Sequence, residues 1–183
     1  LYHIHLSETR DEVATCKEQY GTTPARHLEA LGVLNERVVA AHGVTLAEKE
    51  IDLLIQRKVK LAHCPESNMK LASGTAPVPD MLDRGLVVGL GTDGSASNND
   101  VDMFGEMNTA AKLHKVTSMD PTTMNAQTTL HTATLGGATV LRAEREIGSI
   151  EVGKKADLIM LDMDQPHLTP LYNLVSHLVY AAQ

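Results

Sequence analysis

The chain has 183 residues, and its 16 Lys and Arg side chains against 23 Asp and Glu side chains give a formal charge of −7. This acidic balance argues against a nucleic-acid-binding protein, which needs a basic face to neutralise phosphates. The sequence has no apolar run near the roughly 18 residues of a membrane-spanning helix. We therefore expect a soluble, cytoplasmic protein with no membrane partner.

The first half of the chain alternates short apolar strands with helices. Strands are predicted over 2–6, 37–41, 59–62 and 86–90, and helices over 8–20, from Pro24 onward, over 46–57 and over 79–84. Each strand has a polar side chain at or just beyond its C-terminal end, namely His5, His42, His63 and Asp93.

Apolar strands that alternate with helices predict an α/β fold with a parallel sheet. An open doubly wound sheet and a (β/α)8 barrel both fit this pattern. A barrel gathers residues from several strand ends at one mouth, so it explains the four polar strand ends better. The segment GLGTDG at 89–94 lacks the spacing of a phosphate-binding loop.

The second half changes in character near residue 146. Helices are predicted over 103–114, 121–131 and 134–141, after which residues 147–162 place turn glycines around short β-rich runs. We expect two domains: residues 1–145 as the C-terminal half of a barrel, and residues 146–183 as a segment of a small β domain beside it.

The polar strand ends are candidates for a metal site. His42 and His63 occupy equivalent positions one strand–helix unit apart, and Asp93 follows the fourth strand. Converging imidazole and carboxylate groups can hold Zn²⁺ or Fe²⁺ with a position open for water. Two structural alternatives remain: a lone strand-end histidine is often a packed core residue, and Asp93 also fits a simple Asp-Gly turn.

The polar segment CPESNMKL at 64–71 is predicted to be a loop, either lining the barrel mouth or lying on the surface. Cys64 beside His63 could act as a nucleophile, but the sequence arranges no base for it.

Five segments in this order resemble the amidohydrolase superfamily: HIHLSET, VVAAHGVTL, LAHCPESNMKLASGTAPV, GLGTDGSASNND and ATLGGATVLRAEREIGSIEVGKKADLIMLD. Within it they are similar to the 5-methylthioadenosine/S-adenosylhomocysteine deaminases and their chlorohydrolase-like relatives. The resemblance implies a metal-dependent (β/α)8 barrel, of which this chain is the C-terminal part, with a piece of a small β-sandwich domain.

The resemblance also implies roles for individual residues. His42 would be a metal ligand from the fifth strand, and Asp93 would be both a ligand and the base that takes the proton of the attacking water. His63 would orient that water, and His5 would contact the substrate. The implied cofactor is one divalent ion, Zn²⁺ or Fe²⁺, and the implied partner is a purine nucleoside; the chain could also form a homo-oligomer.

The sequence departs from the family in two places. The first-strand HxH pair, which supplies two further ligands in the family, has no counterpart, and we expect that the corresponding part of the chain is missing. Many family deaminases carry an acid three residues after the fifth-strand histidine, and Thr45 stands there.

The resulting expectation is hydrolytic deamination of an adenine nucleoside with release of ammonia. The alternatives are a hydrolase of the same fold acting on guanine or a chlorinated triazine, a non-catalytic binding protein, and an inactive fragment.

Overall fold

The computed structural model describes residues 1–182. Its strands are β1 (Tyr2–Leu6), β2 (Val38–His42), β3 (Lys60–His63) and β4 (Val88–Leu90). The helices are α1 (Arg10–Tyr20), α2 (Pro24–Ala30), α3 (Glu48–Gln56), α4 (Pro65–Lys70), α5 (Val78–Asp83), α6 (Met103–Ser118), α7 (Ala126–His131), α8 (Gly137–Val140) and α9 (Leu174–Tyr180). A π-helical turn (Thr132–Gly136) joins α7 to α8, and a 3-10 turn (Pro166–Leu168) precedes α9.

The strands form one parallel sheet in the order β1-β2-β3-β4. A doubly wound sheet reverses its strand order at a switch point, whereas the strands of a barrel follow one another in sequence. The predicted α/β fold with a parallel sheet is therefore confirmed, and the strand order favours the barrel arrangement. In parallel strands the carboxyl ends lie at one edge, so the predicted polar residues share that edge.

One face of the sheet builds the main core. Ala40, Leu61 and Val88 lie side by side in register and are almost completely buried. They pack in the same apolar cluster as Ile51 and Leu54 of α3 and Met81 of α5. The opposite face carries His3 and His5 of β1, both exposed, so this face is where polar chemistry can occur.

Three glycines allow β4 to pack against α8 and the π-helical turn before it. A Cβ atom added to Gly89 would lie 2.8 Å from the Cα atom of Gly137, which is closer than real Cβ contacts allow. A Cβ atom added to Gly136 would lie 2.9 Å from the carbonyl oxygen of Val88. Gly89 of GLGTDG therefore packs against a glycine of LGGAT, so Gly89 has a packing role.

The prediction of a loop over 64–71 is wrong, because residues 65–70 form α4. Pro65 stands in the first turn of α4, where its missing N–H is not needed and its fixed φ suits a helix. The amide of Asn68 donates to the carbonyl oxygen of Cys64 at 3.0 Å. Ser67 and Asn68 are buried, so this segment is not a surface loop.

The predicted β-rich segment over 147–162 forms no strand in the described part of the chain. Most of its large apolar side chains are exposed, with Val152 and Met160 fully so. Isolated strands are not stable without a pairing partner, and no strand among residues 1–182 pairs with this segment. Further on, α9 packs against α6 and α7 through Val179 and Tyr180.

Within residues 1–182, no helix combines the length and the apolar composition that a bilayer crossing requires.

Candidate metal centre

Three metal-binding side chains meet at the carboxyl edge of the sheet. His5 of β1, His42 at the end of β2 and Asp93 after β4 each offer one ligand atom, and these atoms all lie within 4.8 Å of one another. Imidazole nitrogens and a carboxylate oxygen are the donor set that Zn²⁺ binds in catalytic sites. The structure therefore brings together three of the four residues predicted from the sequence.

The backbone is strained at this edge. His42 has φ = 75° and Asp93 has φ = 58°, both in the left-handed region that non-glycine residues avoid. Such residues cost about 1–3 kcal/mol each and are found where the surrounding structure holds them in place. Here the amide of Gly43 donates to the carbonyl oxygen of Leu6 at 3.0 Å, which ties the end of β2 to β1.

The ring of His42 has one satisfied and one unsatisfied nitrogen. Nδ1 lies 2.9 Å from Oδ1 of Asn68, and since a carbonyl oxygen can only accept, Nδ1 carries the hydrogen. Nε2 then holds the lone pair, and it is buried without a hydrogen-bond partner within residues 1–182. The ring also stacks on His5 with a centroid separation of 5.4 Å. A buried lone pair of this kind fits a cation, so the residues present match a divalent metal ion.

Asp93 is held as a carboxylate. Its Oδ2 accepts hydrogen bonds from the hydroxyls of Ser67 at 2.7 Å and Ser97 at 2.6 Å. Partial burial raises the pKa of Asp93, but the two hydroxyls and the nearby His42 outweigh it and hold the pKa below its ordinary value. The carboxylate is therefore available at neutral pH as a metal ligand or a base.

Glu8 is the site residue that the sequence prediction missed. Its Oε2 lies 3.8 Å from Nε2 of His42, and its side chain is about one quarter exposed. The backbone amides of Ser7 and Glu8 both donate to the carboxylate of Glu12, which fixes the turn after β1. An acid three residues after a strand-end histidine was expected after His42, and the same spacing applied to His5 finds Glu8.

Thr45, which occupies the position where that acid was expected, has a structural role. Its amide and its hydroxyl each donate to the carbonyl oxygen of Ser7 at 2.9 Å. These bonds join the segment after β2 to the segment after β1. Glu8 therefore follows β1 and Thr45 follows β2, and these two strands are neighbours in the sheet.

His63 lies outside this group of ligand atoms, and the expectation that it orients the attacking water stays a prediction. It follows Leu61 by two residues, so its side chain lies on the core face of the sheet, and its Nε2 lies 3.0 Å from Nε2 of His114 in α6. Burial, together with the neighbouring His114 and His42, holds the pKa of His63 well below its ordinary value. This neutral buried pair matches the structural alternative for a strand-end histidine.

A cavity of about 420 Å³ lies beside the three ligand atoms and is lined in part by His3, His5, Ala41, Cys64 and Asp93. Burial and the nearby Asp93 and Glu106 raise the pKa of Cys64 to about 12. The thiol therefore stays protonated at neutral pH and is a poor nucleophile. The side chains at this site that can take part in catalysis are therefore imidazoles and carboxylates.

Known proteins with similar sequences and structures share this arrangement of the chain. The family profile described as "Amidohydrolase family" matches residues 1–182. A 5-methylthioadenosine/S-adenosylhomocysteine deaminase of Syntrophobacter fumaroxidans is 55% identical over 180 residues, which are 98% of this chain and 41% of that protein.

Two solved structures superpose closely on this chain. An adenosine deaminase from Xanthomonas campestris with bound zinc is 48% identical, with a TM-score of 0.95 over 98% of this chain and 41% of that one. The atrazine chlorohydrolase TrzN from Arthrobacter aurescens, complexed with zinc, is 30% identical, with a TM-score of 0.91 over 98% of this chain and 40% of that one. The chain thus spans about two fifths of the length of the proteins that it matches. On the strength of the profile match and these similarities, the chain belongs to the amidohydrolase family.

Proposed function

We propose that the protein is a metal-dependent deaminase that hydrolyses the C6 amino group of an adenine nucleoside of the 5-methylthioadenosine or S-adenosylhomocysteine type and releases ammonia. The observation that carries this proposal is the convergence of His5, His42 and Asp93 beside a cavity, with Glu8 at the same edge. The names of the similar proteins support the reaction class and the substrate class.

We propose that His42 and Asp93 hold one divalent ion, as expected from the sequence, and that His5 is a third ligand. This changes the substrate-binding role expected for His5, because its ring stacks on His42 and offers a ligand atom in the same group. Zinc is favoured over iron because two similar structures contain it. When bound, the ion would supply Lewis-acid activation of a water molecule.

The proton transfers follow from the two carboxylates. Asp93 would accept a proton from the water as the water oxygen attacks C6, since its lowered pKa keeps it ionised at neutral pH. Glu8 would deliver a proton to a ring nitrogen, which fills the role left open by Thr45. The amino group would then leave as ammonia after it receives the proton that Asp93 accepted, and the proton left on the attacking oxygen would return to Glu8 as the C6 carbonyl forms.

A second candidate is hydrolysis of a chlorinated triazine, which the similarity to TrzN supports. A guanine deaminase of the same fold is the third option. The reactions differ in what they release, because a deaminase gives ammonia and a chlorohydrolase gives chloride. The released product therefore separates the triazine hydrolase from the two deaminases, and the substrate that is consumed separates the deaminases from each other.

The test uses the complete gene product loaded with zinc. It should release ammonia from 5-methylthioadenosine or S-adenosylhomocysteine, and neither ammonia from guanine nor chloride from atrazine. Glu8→Gln should lower turnover about 10²–10⁴-fold, the range for a lost general acid, and Glu18→Gln on the exposed side of α1 is the matched control. Wild-type turnover by Glu8→Gln would remove Glu8 from the mechanism, and chloride release alone would favour the triazine hydrolase.

Three expectations from the sequence stay predictions: the closed (β/α)8 barrel with a boundary between residues 145 and 146, the contribution of residues 146–183 to a small β-sandwich domain, and the cytoplasmic location. The homo-oligomer stays an open alternative.

A further inference from the structure

We propose that α4 is a positioning element of the metal centre, in which Ser67 orients Asp93 and Asn68 fixes the tautomer of His42. This inference rests on the proposed function, because it assigns a purpose to contacts around the proposed ligands. It also gives a role to the CPESN segment, which was predicted to be a loop.

The place of α4 in the sheet explains why it can reach both ligands. Helix α4 begins directly after β3, and β3 lies between β2 and β4. His42 ends β2 and Asp93 follows β4, so they flank the end of β3 on its two sides. Consecutive residues of α4 contact them: Ser67 reaches Asp93 and Asn68 reaches His42.

Both contacts come from buried residues behind the site. Ser67 is 0% exposed and Asn68 is 1% exposed, and neither lines the cavity beside the ligands. Their side chains therefore act on the ligands and have no contact with that cavity. Residues of this kind, which bind the far side of a ligand, commonly set the affinity of a metal site.

The amide of Asn68 can select one tautomer of His42. With Oδ1 facing Nδ1 at 2.9 Å, the hydrogen of the neutral ring stays on Nδ1 and the lone pair stays on Nε2. The buried NH2 group of Asn68 has no hydrogen-bond partner among the described residues. An unpaired buried donor destabilises the fold, which argues that Asn68 is kept for the His42 contact.

Ser67 acts on the second ligand in a similar way. Its hydroxyl donates to Oδ2 of Asp93 at 2.7 Å. The rotation of this carboxylate is thereby coupled to the same helix that orients His42. One short helix would set two ligands relative to each other.

The experiment uses the complete gene product and two readouts besides activity. The first is the ¹⁵N chemical shifts of the His42 ring in metal-free protein at pH 8, which distinguish the two tautomers. The second is the zinc dissociation constant from competition with a chromophoric chelator. The variants are Asn68→Leu, Asn68→Asp and Ser67→Ala, and Met69→Leu at the exposed neighbouring position of α4 is the matched control.

We expect the Nδ1–H tautomer in the wild type, in Asn68→Asp and in Met69→Leu, and a mixture of tautomers in Asn68→Leu. Zinc binding should weaken about 10–100-fold in Asn68→Leu and Ser67→Ala. The Asn68→Asp variant retains an acceptor, so its tautomer should be unchanged even if Asn68→Leu fails to fold.

Three results would overturn the inference: an Nε2–H tautomer in the wild type, an Asn68→Leu variant with wild-type tautomer and zinc affinity, or an Asn68→Asp variant without the Nδ1–H preference. Failure of the proposed function looks different, since the wild-type protein would then release no ammonia while the tautomer in metal-free protein still decides the role of Asn68.

Discussion

The ends of β2 and β3 look alike in sequence and differ in structure. Each is an apolar strand that ends in a histidine, and the two histidines would be neighbours in the sheet. His42 has a positive φ and its ring stacks on His5, whereas His63 is not among the residues with positive φ and pairs with His114. One backbone dihedral therefore separates a ligand candidate from a packed core residue.

The residues that follow each histidine account for the difference. Gly43 follows His42 with φ = 60°, a conformation that glycine adopts freely. Cys64 follows His63 and precedes Pro65, and a residue before proline is restricted to extended conformations; Cys64 has φ = −122°. The residues that follow the histidine, glycine in one case and Cys-Pro in the other, are thus a local signal for the direction of the ring.

The largest expected effect is at Asp93, which lies with His42 at the proposed metal centre. Asp93→Asn in the complete gene product should lower turnover about 10²–10⁴-fold, because it removes the proposed base, while the circular dichroism spectrum stays that of the wild type. Asp83→Asn at the exposed end of α5 serves as the control. Turnover of Asp93→Asn near the wild-type level would refute the assignment.

A pair of variants sharpens the contrast between the two histidines. His42→Ala should lower turnover and weaken zinc binding. His63→Ala should instead lower the free energy of unfolding by about 1–3 kcal/mol, because His114 loses its buried hydrogen-bond partner, with zinc affinity within about threefold of the wild type. Chelator competition and urea denaturation of the metal-free proteins measure the two effects. If His63→Ala lost zinc binding, His63 would instead be part of the metal centre.

The buried histidine pair should also make stability depend on pH. Burial and the nearby Lys115 lower the pKa of His114 to about 4, against 6.5 in the unfolded chain. Between these pH values the unfolded chain binds the extra proton, so the free energy of unfolding should fall as the pH drops from 6.5 to 4, by at most about 3 kcal/mol. His114→Phe should reduce this dependence, and buried His63, whose pKa is also lowered, should account for what remains.

Buried Glu106 works in the opposite direction, because burial raises its pKa to about 8. Its contribution destabilises the fold as the pH rises from 4.5 to 8. The comparison of wild type and His114→Phe is therefore best made in a Glu106→Gln background by urea denaturation at several pH values. An unchanged pH dependence after His114→Phe would show that the pair is not held neutral by the fold.

The smallest expected effect concerns the segment after β3. Cys64 is 3% exposed and its pKa is raised to about 12, while Cys16 is partly exposed. Iodoacetamide at pH 8 should therefore alkylate Cys16 and leave Cys64 unmodified until the protein is denatured, as peptide mass spectrometry can determine. Equal alkylation of the two thiols in the native protein would mean that α4 opens readily.

The sequence predicted the strands closely, since their apolar runs and terminal polar residues are local features. The observed strands lie within two residues of the predicted bounds, and the edge where His5, His42 and Asp93 meet follows from parallel pairing. The pairing of His63 with a second buried histidine could not be predicted, because its partner His114 lies 51 residues along the chain.

Two further features have weaker signals in the sequence. Glu8 follows His5 by three residues, and this spacing of an acid after a strand-end histidine is enough to identify it. Helix α4 was missed because the polar residues Ser67 and Asn68, which suggest a loop, are buried by contacts with Asp93 and His42.

The meeting of Gly89 with Gly137 bears on how mutational surveys of this chain are interpreted. A larger side chain at position 89 would push β4 away from α8, and Asp93 lies only four residues further on. Inactive variants at Gly89 would then reflect a steric clash between β4 and α8, away from the reacting atoms. A survey that measures turnover alone would wrongly count Gly89 among the catalytic residues.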